Sequence, residues 1–444
     1  MARTLRIEYP GAIYHITCRL VGSWRDGDRE LFSDRWRFLD ALAARVNAFG
    51  VVLHQYVLMQ NHTHLVIETP RGNCSAFMKS LLTSYTVYDR NTGRAAKQPG
   101  RRLTPWLILL LSLTVSCRRP SKPVAREWTT MGTFASVSVS AVAADTLADC
   151  AAQAHEIFEA LNQSLSTYIT TSEVSRLNAT AGGEPIAISP ATGEMLQLAR
   201  RYGAITGGAF DISVTPLMQL WGFREGAPPS LLPEATDREA LLPLVDYRLI
   251  ELGEGTARLP KRGMRVDLGG IAKGYAVDAG FDAIAAAGHR DILVNLGGNM
   301  RGSGLAAPDR AWRVGVRNPF DRSELLGTVN LPDGWAVATS GNYEKFVEID
   351  GQRYAHIMDP RTGQPVQGMA GVSVLSRRAV EADALSTALF VVGMDGAGEI
   401  LKQTPDSEAL WVPDRRPVEI HMTPGFAEHF TPLPAYQNSI RPIP

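Results

Sequence analysis

The sequence of 444 residues predicts an α+β protein with two domains of unequal size. The chain is too long for one ordinary domain, and both of its parts mix short alternating segments with segments of helical apolar spacing. The charge also divides unevenly: residues 1–102 carry 15 Lys+Arg against 8 Asp+Glu, a net +7, and the remaining 30 against 37 give −7. We therefore expect a polyanionic partner only for the front part.

The first predicted domain covers residues 1–95 and has the order strand, loop, helix, strand, strand, helix. Apolar residues alternate in the strands and recur at helical spacing in the helices. A polar segment separates the second strand from the third. The predicted elements are strand 12–17, helix 36–49, strands 51–59 and 65–67, and helix 79–90.

The polar segment contains two histidines, His62 and His64. In an extended chain they point to the same face, where both imidazoles could hold one divalent cation; a polar surface pair is the alternative. On the next predicted helix, the hydroxyl of Tyr85 could attack a backbone phosphate that such a metal polarises, which would leave a covalent phosphotyrosine.

Residues 7–17, residues 56–70 and the helix with Tyr85 resemble the HUH-type tyrosine transposases that are associated with bacterial repeat elements. The resemblance implies a ferredoxin-like α+β fold and metal-dependent nicking of single-stranded DNA. The basic and aromatic continuation of that family is missing after Arg94, so we expect a truncated remnant. The implied site residues are the metal ligands His62 and His64 and the nucleophile Tyr85, with Tyr88 as the alternative.

Residues 96–127 form a predicted linker with the pattern of a secretory signal. Arg101 and Arg102 precede an apolar run too short for a comfortable membrane span, and small residues then lead to Cys117. The ending resembles a bacterial lipoprotein cleavage box, which implies a lipid on Cys117 and anchoring at the periplasmic face of the inner membrane. A buried linker helix is the alternative, and the protein is expected in the cytoplasm if the internal signal is not used. We hypothesise that the exported protein begins just before Arg101.

Residues 128–444 form one continuous second domain, in which the stretch 267–278 is central. It opens with Asp267, turns through two glycines and continues with the apolar spacing of a helix from near Ile271. Glycine lets a ligand approach the backbone closely, and the unpaired N–H groups of a helix start favour phosphate. Lys273 adds a positive charge there. An ordinary strand-to-helix turn is the alternative.

Asp383 and Thr387 stand four residues apart on another predicted helix, so their oxygens share one face. Hard oxygen ligands of this kind suit Mg²⁺, although an isolated Asp/Thr pair is more commonly a surface feature. No glycine run ends in Gly-Lys-Ser/Thr, and the spacing of a dinucleotide-binding fingerprint is absent. The pattern therefore argues against a P-loop and against a Rossmann site.

Several separate segments of the second domain occur in the same order as in the bacterial FAD:protein FMN transferases of the ApbE family, and the chain resembles that family over roughly 128–434. The resemblance implies an α+β fold with the flavin in a cleft, and an enzyme that uses FAD and Mg²⁺. Such an enzyme moves the FMN phosphoryl group to a Thr or Ser of a redox protein, a membrane or periplasmic flavoprotein subunit, and releases AMP. A flavin-binding protein or an FAD hydrolase without protein transfer is the alternative. The segments are 131–139, expected to be a strand, 165–168, 206–211, 267–278, 294–299, 338–344, 356–363 and 382–389.

The resemblance also implies roles for individual residues. Asp383 and Thr387 match the magnesium-binding side chains, and a backbone carbonyl supplies a third ligand, that of Gly270 or, as the neighbouring option, Ala272. His356 is the candidate base for the acceptor hydroxyl; a structural histidine that caps the following turn is the alternative. The positions that match FAD-holding residues are Met131, Tyr168, Ala209, Phe210, Asp211, Asp267 and Lys273.

Overall fold

The computed structural model describes most of the chain after residue 124 and three segments before it. The chain divides after residue 113 into two compact units, which we describe separately. Tyr85, Tyr88, Cys117 and the predicted signal lie outside the described residues. The described residues are 12–19, 35–58, 62–81, 124–140, 142, 144–224, 231–349 and 351–443.

The first unit contains a three-stranded antiparallel sheet and two helices. Its elements follow the predicted order: β1 (Ala12–Arg19), α1 (Arg35–Phe49), β2 (Val52–Leu58), β3 (His62–Thr69) and α2, described over 74–81. The strand order is β1-β3-β2, so β3 pairs with both neighbours. Leu65 and Ile67 of β3 are fully buried and belong to one core with Leu42 and Phe77 of the helices.

The two histidines of the predicted metal pair lie on β3, two residues apart. In the register of β1 and β3, His62 is opposite Arg19 and His64 is opposite Thr17. This spacing on a strand agrees with the expectation that both residues share one face of the sheet. The ferredoxin-like fold, the ligand role and DNA nicking stay predictions.

The second unit mixes strands and helices along the chain, as an α+β fold does. The α-helices are α3 (Ala144–Leu165), α4 (Glu173–Ala179), α5 (Pro190–Ile205), α6 (Thr215–Leu220), α7 (Ala235–Leu241), α8 (Ala272–Ala286), α9 (Ala379–Val392), α10 (Ala397–Gln403) and α11 (Pro424–His429). The strands are β4 (Val124–Thr130), β5 (Thr133–Val139), β6 (Ile186–Ala187), β7 (Glu251–Gly253), β8 (Thr256–Arg258), β9 (Ile292–Leu296), β10 (Asn299–Ser303), β11 (Leu305–Ala307), β12 (Arg310–Ala311), β13 (Arg313–Asn318), β14 (Asp321–Asn330), β15 (Ala336–Gly341), β16 (Phe346–Ile349), β17 (Gln352–Ala355), β18 (Met358–Asp359), β19 (Gln364–Pro365), β20 (Met369–Ser376), β21 (Glu408–Pro413), β22 (Ile420–Met422), β23 (Phe430–Pro432) and β24 (Ile440–Arg441).

A nine-stranded sheet in the order β24-β22-β21-β20-β15-β10-β9-β5-β4 organises the second unit. Neighbouring strands are antiparallel except β22 and β24, which are parallel. Helices α3, α8 and α9 contact β4 and β5, β9 and β10, and β15 and β20 respectively. The sheet β13-β14-β23 contributes Val314 and Val329 to a second core with Val337 of β15 and Leu410 of β21. Every residue of β20 is buried, as expected for a strand covered on both faces.

The predicted strand over 131–139 begins two residues too early. Met131 and Gly132 form the turn of the β4–β5 hairpin, with φ of 49° and 68°, and Thr130 is opposite Thr133. A two-residue hairpin turn with positive φ at both positions matches the right-handed twist of its strands. The prediction was wrong there because methionine seldom adopts positive φ and gives no turn signal.

No helix in the described part of the chain is both long enough and apolar enough to cross a membrane.

Candidate active site

The candidate site lies where the first turn of α8 meets α9. A Cβ atom at Gly274 would lie 2.3 Å from the carbonyl oxygen of Ala379, so only glycine lets these helices approach so closely. The N–H of Gly274, one of those left without an intrahelical acceptor at a helix start, donates to Oδ2 of Asp383 at 2.9 Å. This bond fixes the buried Asp383 beside the start of α8.

A second buried carboxylate, Asp278, joins the same two helices one turn further along α8. Its oxygens accept from the N–H groups of Ala379 at 2.9 Å and Val380 at 3.0 Å, so it caps the N-terminus of α9. Arg301 donates to it at 3.0 Å, and Arg378 lies 3.5 Å away. Burial raises the pKa of Asp278, while these hydrogen bonds and charges oppose the rise. The carboxylate therefore has a structural role in setting the position of α9.

Thr387 lies one turn after Asp383 on α9 and close to the glycine turn. Its Oγ1 is 3.3 Å from Oγ of Ser340 at the end of β15. A Cβ atom at Gly270 would lie 3.5 Å from Oγ1 of Thr387, so this hydroxyl faces the glycine turn. The structure therefore brings Asp383, Thr387 and Gly270 of the predicted metal site together.

Lys273 completes this group. Its Nζ donates to the carbonyl oxygen of Gly269 at 2.7 Å and lies 3.5 Å from Oδ1 of Asp383. The donor set of one carboxylate, one hydroxyl and backbone carbonyls consists of hard oxygen atoms, which fits Mg²⁺. Among the described residues no group of three or more His, Cys, Asp or Glu side chains could hold a metal. Water and substrate phosphate oxygens would have to complete a magnesium shell here.

Arg224 connects two of the predicted FAD-holding residues. Its guanidinium lies 2.5 Å from Oδ2 of Asp267, stacks over the ring of Tyr168 at 5.0 Å and donates to the hydroxyl of that tyrosine. Asp267 also accepts from Thr167 at 2.9 Å and from the N–H of Gly269 at 2.8 Å. The Tyr168 side chain is 73% exposed, so Arg224 holds an otherwise solvent-facing ring beside the turn.

The carboxylate of Asp211 accepts hydrogen bonds from the protein's own backbone and from one hydroxyl. Its Oδ1 accepts from the N–H and the hydroxyl of Ser213 at 2.8 and 2.6 Å, and Oδ2 accepts from the N–H of Tyr247 at 2.9 Å. Burial raises the pKa of Asp211, and these hydrogen bonds oppose the rise. The residue orders the loop around it, and a ligand that reaches it would have to share those oxygens.

The neighbours of Asp211 in the sequence are also buried. The ring of Phe210 lies 3.3 Å from where a Cβ atom of Gly270 would stand, so it abuts the glycine turn. Ala209 is 1% exposed. Met131 is half-buried against the core that includes α3 and α8, and its backbone is fixed by the β4–β5 turn.

His356 follows β17 and is half-buried. Its Nδ1 lies 3.1 Å from the carbonyl oxygen of Lys345. Because a carbonyl oxygen only accepts, Nδ1 carries the proton of the neutral ring and Nε2 keeps a free lone pair. The pKa of His356 is lowered from 6.5 to about 4, chiefly by burial and in addition by the charges of Lys345, Lys273 and Arg224, while the hydrogen bond to Lys345 opposes the shift.

The basic side chains around His356 indicate which class of ligand the site can bind. Arg224, Lys273 and Lys345 exert their charge on His356; Arg224 pairs with Asp267, and Lys273 lies beside Asp383. Basic side chains beside a helix start favour a phosphate-bearing ligand. The arrangement can bind a diphosphate and present a neutral imidazole to it.

Four residues that build this site have no role in the site predicted from the sequence. Gly274 could have been found from the sequence, because a glycine inside a predicted helix destabilises the helix and therefore indicates close packing at that position. Asp278, Ser340 and Arg224 act across large distances along the chain, which no local pattern reveals.

The comparisons with known proteins cover most of the second unit. The sequence model of the ApbE family matches residues 131–411. An FAD:protein FMN transferase of Vibrio cholerae is 34% identical over 296 residues, which cover 65% of this chain and 87% of the relative. One of Escherichia coli strain K12 is 31% identical over 295 residues, 64% of this chain and 84% of the relative.

Solved structures agree in fold. A structure of the flavin transferase ApbE from Vibrio cholerae superimposes with a TM-score of 0.62 at 28% identity, covering 70% of this chain and all of the other. The ApbE protein from Thermotoga maritima gives a TM-score of 0.62 at 29% identity over 69% of this chain and 99% of the other. The α+β fold predicted for the second domain is therefore confirmed.

Proposed function

Because this chain belongs to the ApbE family, we propose that it is an FAD:protein FMN transferase whose second unit carries the active site. Its substrates are FAD and a protein acceptor, and its products are an acceptor with FMN bound through phosphate to a Thr or Ser, and AMP. The observation that best supports the proposal is that Asp383, Thr387 and Lys273 lie together at the turn of Gly270. The charge of the same Lys273 also lowers the pKa of His356.

The reaction is a phosphoryl transfer with a simple atom balance. A bond forms between the acceptor hydroxyl oxygen and the phosphorus of the FMN half, and the bond from that phosphorus to the bridging oxygen breaks. AMP leaves with the bridging oxygen. The proton of the acceptor hydroxyl passes to Nε2 of His356, the nitrogen that keeps a lone pair because Nδ1 donates to Lys345. Catalysis of this kind depends on positioning and on charge stabilisation.

The residues of the glycine turn hold the diphosphate in this account. The backbone at Gly270 lets the substrate approach closely, and Lys273 offers its ammonium group to a phosphate oxygen. Mg²⁺ bound to Asp383, Thr387 and the Gly270 carbonyl would neutralise the diphosphate and stabilise the charge that develops on the leaving group. Arg224 holds Tyr168 and Asp267 in place around the rest of the nucleotide.

Acceptor-dependent release of AMP tests the proposal. The full chain is incubated with FAD and Mg²⁺, with and without a redox-protein domain as the candidate acceptor, and AMP is quantified by chromatography. The proposal requires AMP release that rises with acceptor concentration. AMP release at the same rate without the acceptor, together with free FMN, would instead indicate an FAD hydrolase.

For the first unit and the linker we retain the sequence-based hypotheses. Nicking of single-stranded DNA by Tyr85 with a metal on His62 and His64 is supported by the spacing of the histidines on β3. Metal-dependent cleavage of a DNA hairpin that Tyr85→Phe abolishes would support this activity, and cleavage that persists in the variant would contradict it. A lipid on Cys117, and a location on the periplasmic face of the inner membrane, are tested by the mass and N-terminal sequence of the native protein.

A further inference from the structure

Three hydroxyl side chains are connected between the end of β15 and α9. Oγ of Ser340 lies 2.8 Å from Oγ of Ser386 and 3.3 Å from Oγ1 of Thr387. The buried Ser386 also donates to the carbonyl oxygen of Asp383 at 2.9 Å. Thr387 is the side chain assigned to the metal, whereas Ser340 and Ser386 have no part in the chemistry described so far.

The direction of these hydrogen bonds follows from the one partner that can only accept. A hydroxyl has a single proton to donate and two lone pairs with which to accept. Ser386 uses its proton on the carbonyl oxygen of Asp383, so it must accept from Ser340. The proton of Ser340 is then used as well, and in the remaining contact Ser340 accepts from Thr387. The proton of Thr387 is therefore directed toward β15.

A second acceptor for Thr387 leads to the same conclusion. The carbonyl oxygen of Asp383 lies 3.5 Å from Oγ1 of Thr387, farther than Ser340, and already accepts from Ser386. Both acceptors belong to β15 or α9, and neither belongs to the glycine turn. The lone pairs of Oγ1 are thus left for the side on which Gly270 lies.

This orientation is the one that a metal ligand requires. A hydroxyl binds a cation through a lone pair, so its proton needs an acceptor on another side. Asp383 is oriented in a comparable way, because its Oδ2 accepts from Gly274 and its Oδ1 lies on the side of Lys273. Each of the two candidate ligand side chains therefore has a partner that fixes which oxygen lone pairs face the site.

We propose that Ser340 is a positioning residue for the transfer reaction: it accepts the proton of Thr387 and so turns a lone pair of that hydroxyl toward Mg²⁺. Ser386 supports this arrangement by accepting the proton of Ser340. The inference rests on the proposed function, because a cation held by Asp383 and Thr387 is part of that proposal.

Metal binding tests the role of Ser340 without requiring turnover. Mg²⁺ is titrated by calorimetry into the full chain with saturating FAD and no acceptor, and FAD is titrated separately in EDTA. We expect Ser340→Ala to raise the Kd for Mg²⁺ about tenfold, as for loss of a group that orients a metal ligand, and to leave the Kd for FAD in EDTA unchanged. Wild-type Mg²⁺ affinity in the variant would overturn the inference, as would an equal loss of both affinities.

Thr339→Val is the matched control. Thr339 directly precedes Ser340 on β15, and its hydroxyl also lies 2.8 Å from a serine hydroxyl, that of Ser373 on β20. Successive side chains of a strand point to opposite faces, so Thr339 points away from the face on which Ser340 meets Thr387. The control should bind Mg²⁺ like the wild type. If it raised the Kd as much as Ser340→Ala does, the effect would belong to the strand and the inference would be wrong.

A double variant shows whether Ser340 acts through Thr387. Thr387→Val removes the hydroxyl that Ser340 orients, so adding Ser340→Ala to it should change the Kd for Mg²⁺ no further. A second tenfold increase in the double variant would mean that Ser340 acts by another route, which would overturn the inference.

The same titrations separate this inference from the proposed function. Unchanged Mg²⁺ binding in Ser340→Ala, together with FMN transfer by the wild type, would overturn the inference and leave the transferase intact. Wild-type protein that binds FAD and no Mg²⁺ would overturn the inference together with the metal site. Mg²⁺ binding that Ser340→Ala weakens, without FMN transfer to any acceptor, would contradict the transferase and still support the role of Ser340.

Discussion

The N–H of Gly274 donates to Oδ2 of Asp383 at 2.9 Å, and this bond joins the start of α8 to the side chain that we assign to the metal. The same glycine allows the close approach of α9, because the carbonyl oxygen of Ala379 lies where a side chain at this position would clash with it. A small change at one backbone position is therefore expected to alter packing and the active site together.

Gly274→Ala should destabilise the protein. The added Cβ would lie 2.3 Å from a backbone oxygen and 2.8 Å from Cβ of Asp383, so α8 and α9 must move apart. Overpacking of this kind costs about 1–3 kcal/mol in the free energy of unfolding. Gly398→Ala in α10 is the control, because nothing lies within 4 Å of its added Cβ, and it should stabilise by up to about 1 kcal/mol. Urea unfolding of both variants measures this, and equal effects would contradict the account.

Removing the Thr387 hydroxyl should weaken the binding of Mg²⁺ and so raise the Mg²⁺ concentration that the reaction requires. Thr387→Val keeps the shape of the side chain but deletes the oxygen next to Gly270. We expect the Mg²⁺ concentration for half-maximal transfer to rise at least about tenfold, as for loss of a metal ligand or its close support. Thr387→Ser, which keeps the hydroxyl, should behave like the wild type. A valine variant with unchanged Mg²⁺ dependence would remove Thr387 from the metal site.

The pH dependence should follow His356. The pKa of this histidine is about 4 in the folded protein against 6.5 for an unperturbed side chain, so the free enzyme keeps it neutral well below pH 6.5. The acid limb of kcat/KM for FAD reports the free enzyme and should therefore lie far below pH 6.5. His356→Ala should reduce transfer by about 10²–10⁴-fold and remove this limb, with FAD affinity largely kept. A limb at pH 6.5, or transfer at the wild-type rate in the variant, would contradict the assigned base.

The same shift affects stability with a definite sign. A histidine whose pKa is lowered on folding binds protons more readily in the unfolded chain. The free energy of unfolding should therefore fall as the pH decreases from about 6.5 to about 4. His356→Gln should reduce this slope in urea titrations at several pH values. An unchanged slope would show that the ring is not held in a desolvating environment.

Arg224→Ala should weaken FAD binding. The variant releases the exposed Tyr168 and removes the cation from Asp267, which then keeps only Thr167 and the N–H of Gly269. Because Arg224 positions these two residues, we expect its loss to raise the Kd for FAD by about tenfold, which corresponds to about 1.4 kcal/mol. Arg248→Ala, an exposed arginine paired with Asp246, is the control and should leave Kd unchanged. Calorimetric titration with FAD measures both, and identical constants would exclude Arg224 from the site.

Local sequence patterns predicted the parts of the site that one helix or one turn contains. Asp383 and Thr387 share a face because a helix repeats every 3.6 residues, and α9 does cover both positions. The helix expected from near Ile271 begins at Ala272. These features depend on neighbours in the chain, which the sequence shows directly.

Contacts between distant segments could not be predicted in this way. Asp278 caps a helix that begins about a hundred residues later, and Arg224 reaches Tyr168 over 56 positions. Met131 was placed in a strand although its backbone turns, because only the pairing of β4 with β5 requires positive φ there. The roles of the individual site residues stay predictions until they are measured.

Intact-mass analysis of an acceptor tests the central claim most directly. The full chain is incubated with FAD, Mg²⁺ and a candidate acceptor domain from a redox protein, in parallel with the Asp383→Ala variant. The account predicts that the acceptor gains the mass of one FMN, bound through phosphate, and that the variant adds none. Tight FAD binding without a mass gain on any acceptor would contradict the transferase, and an equal gain with Asp383→Ala would contradict the proposed site.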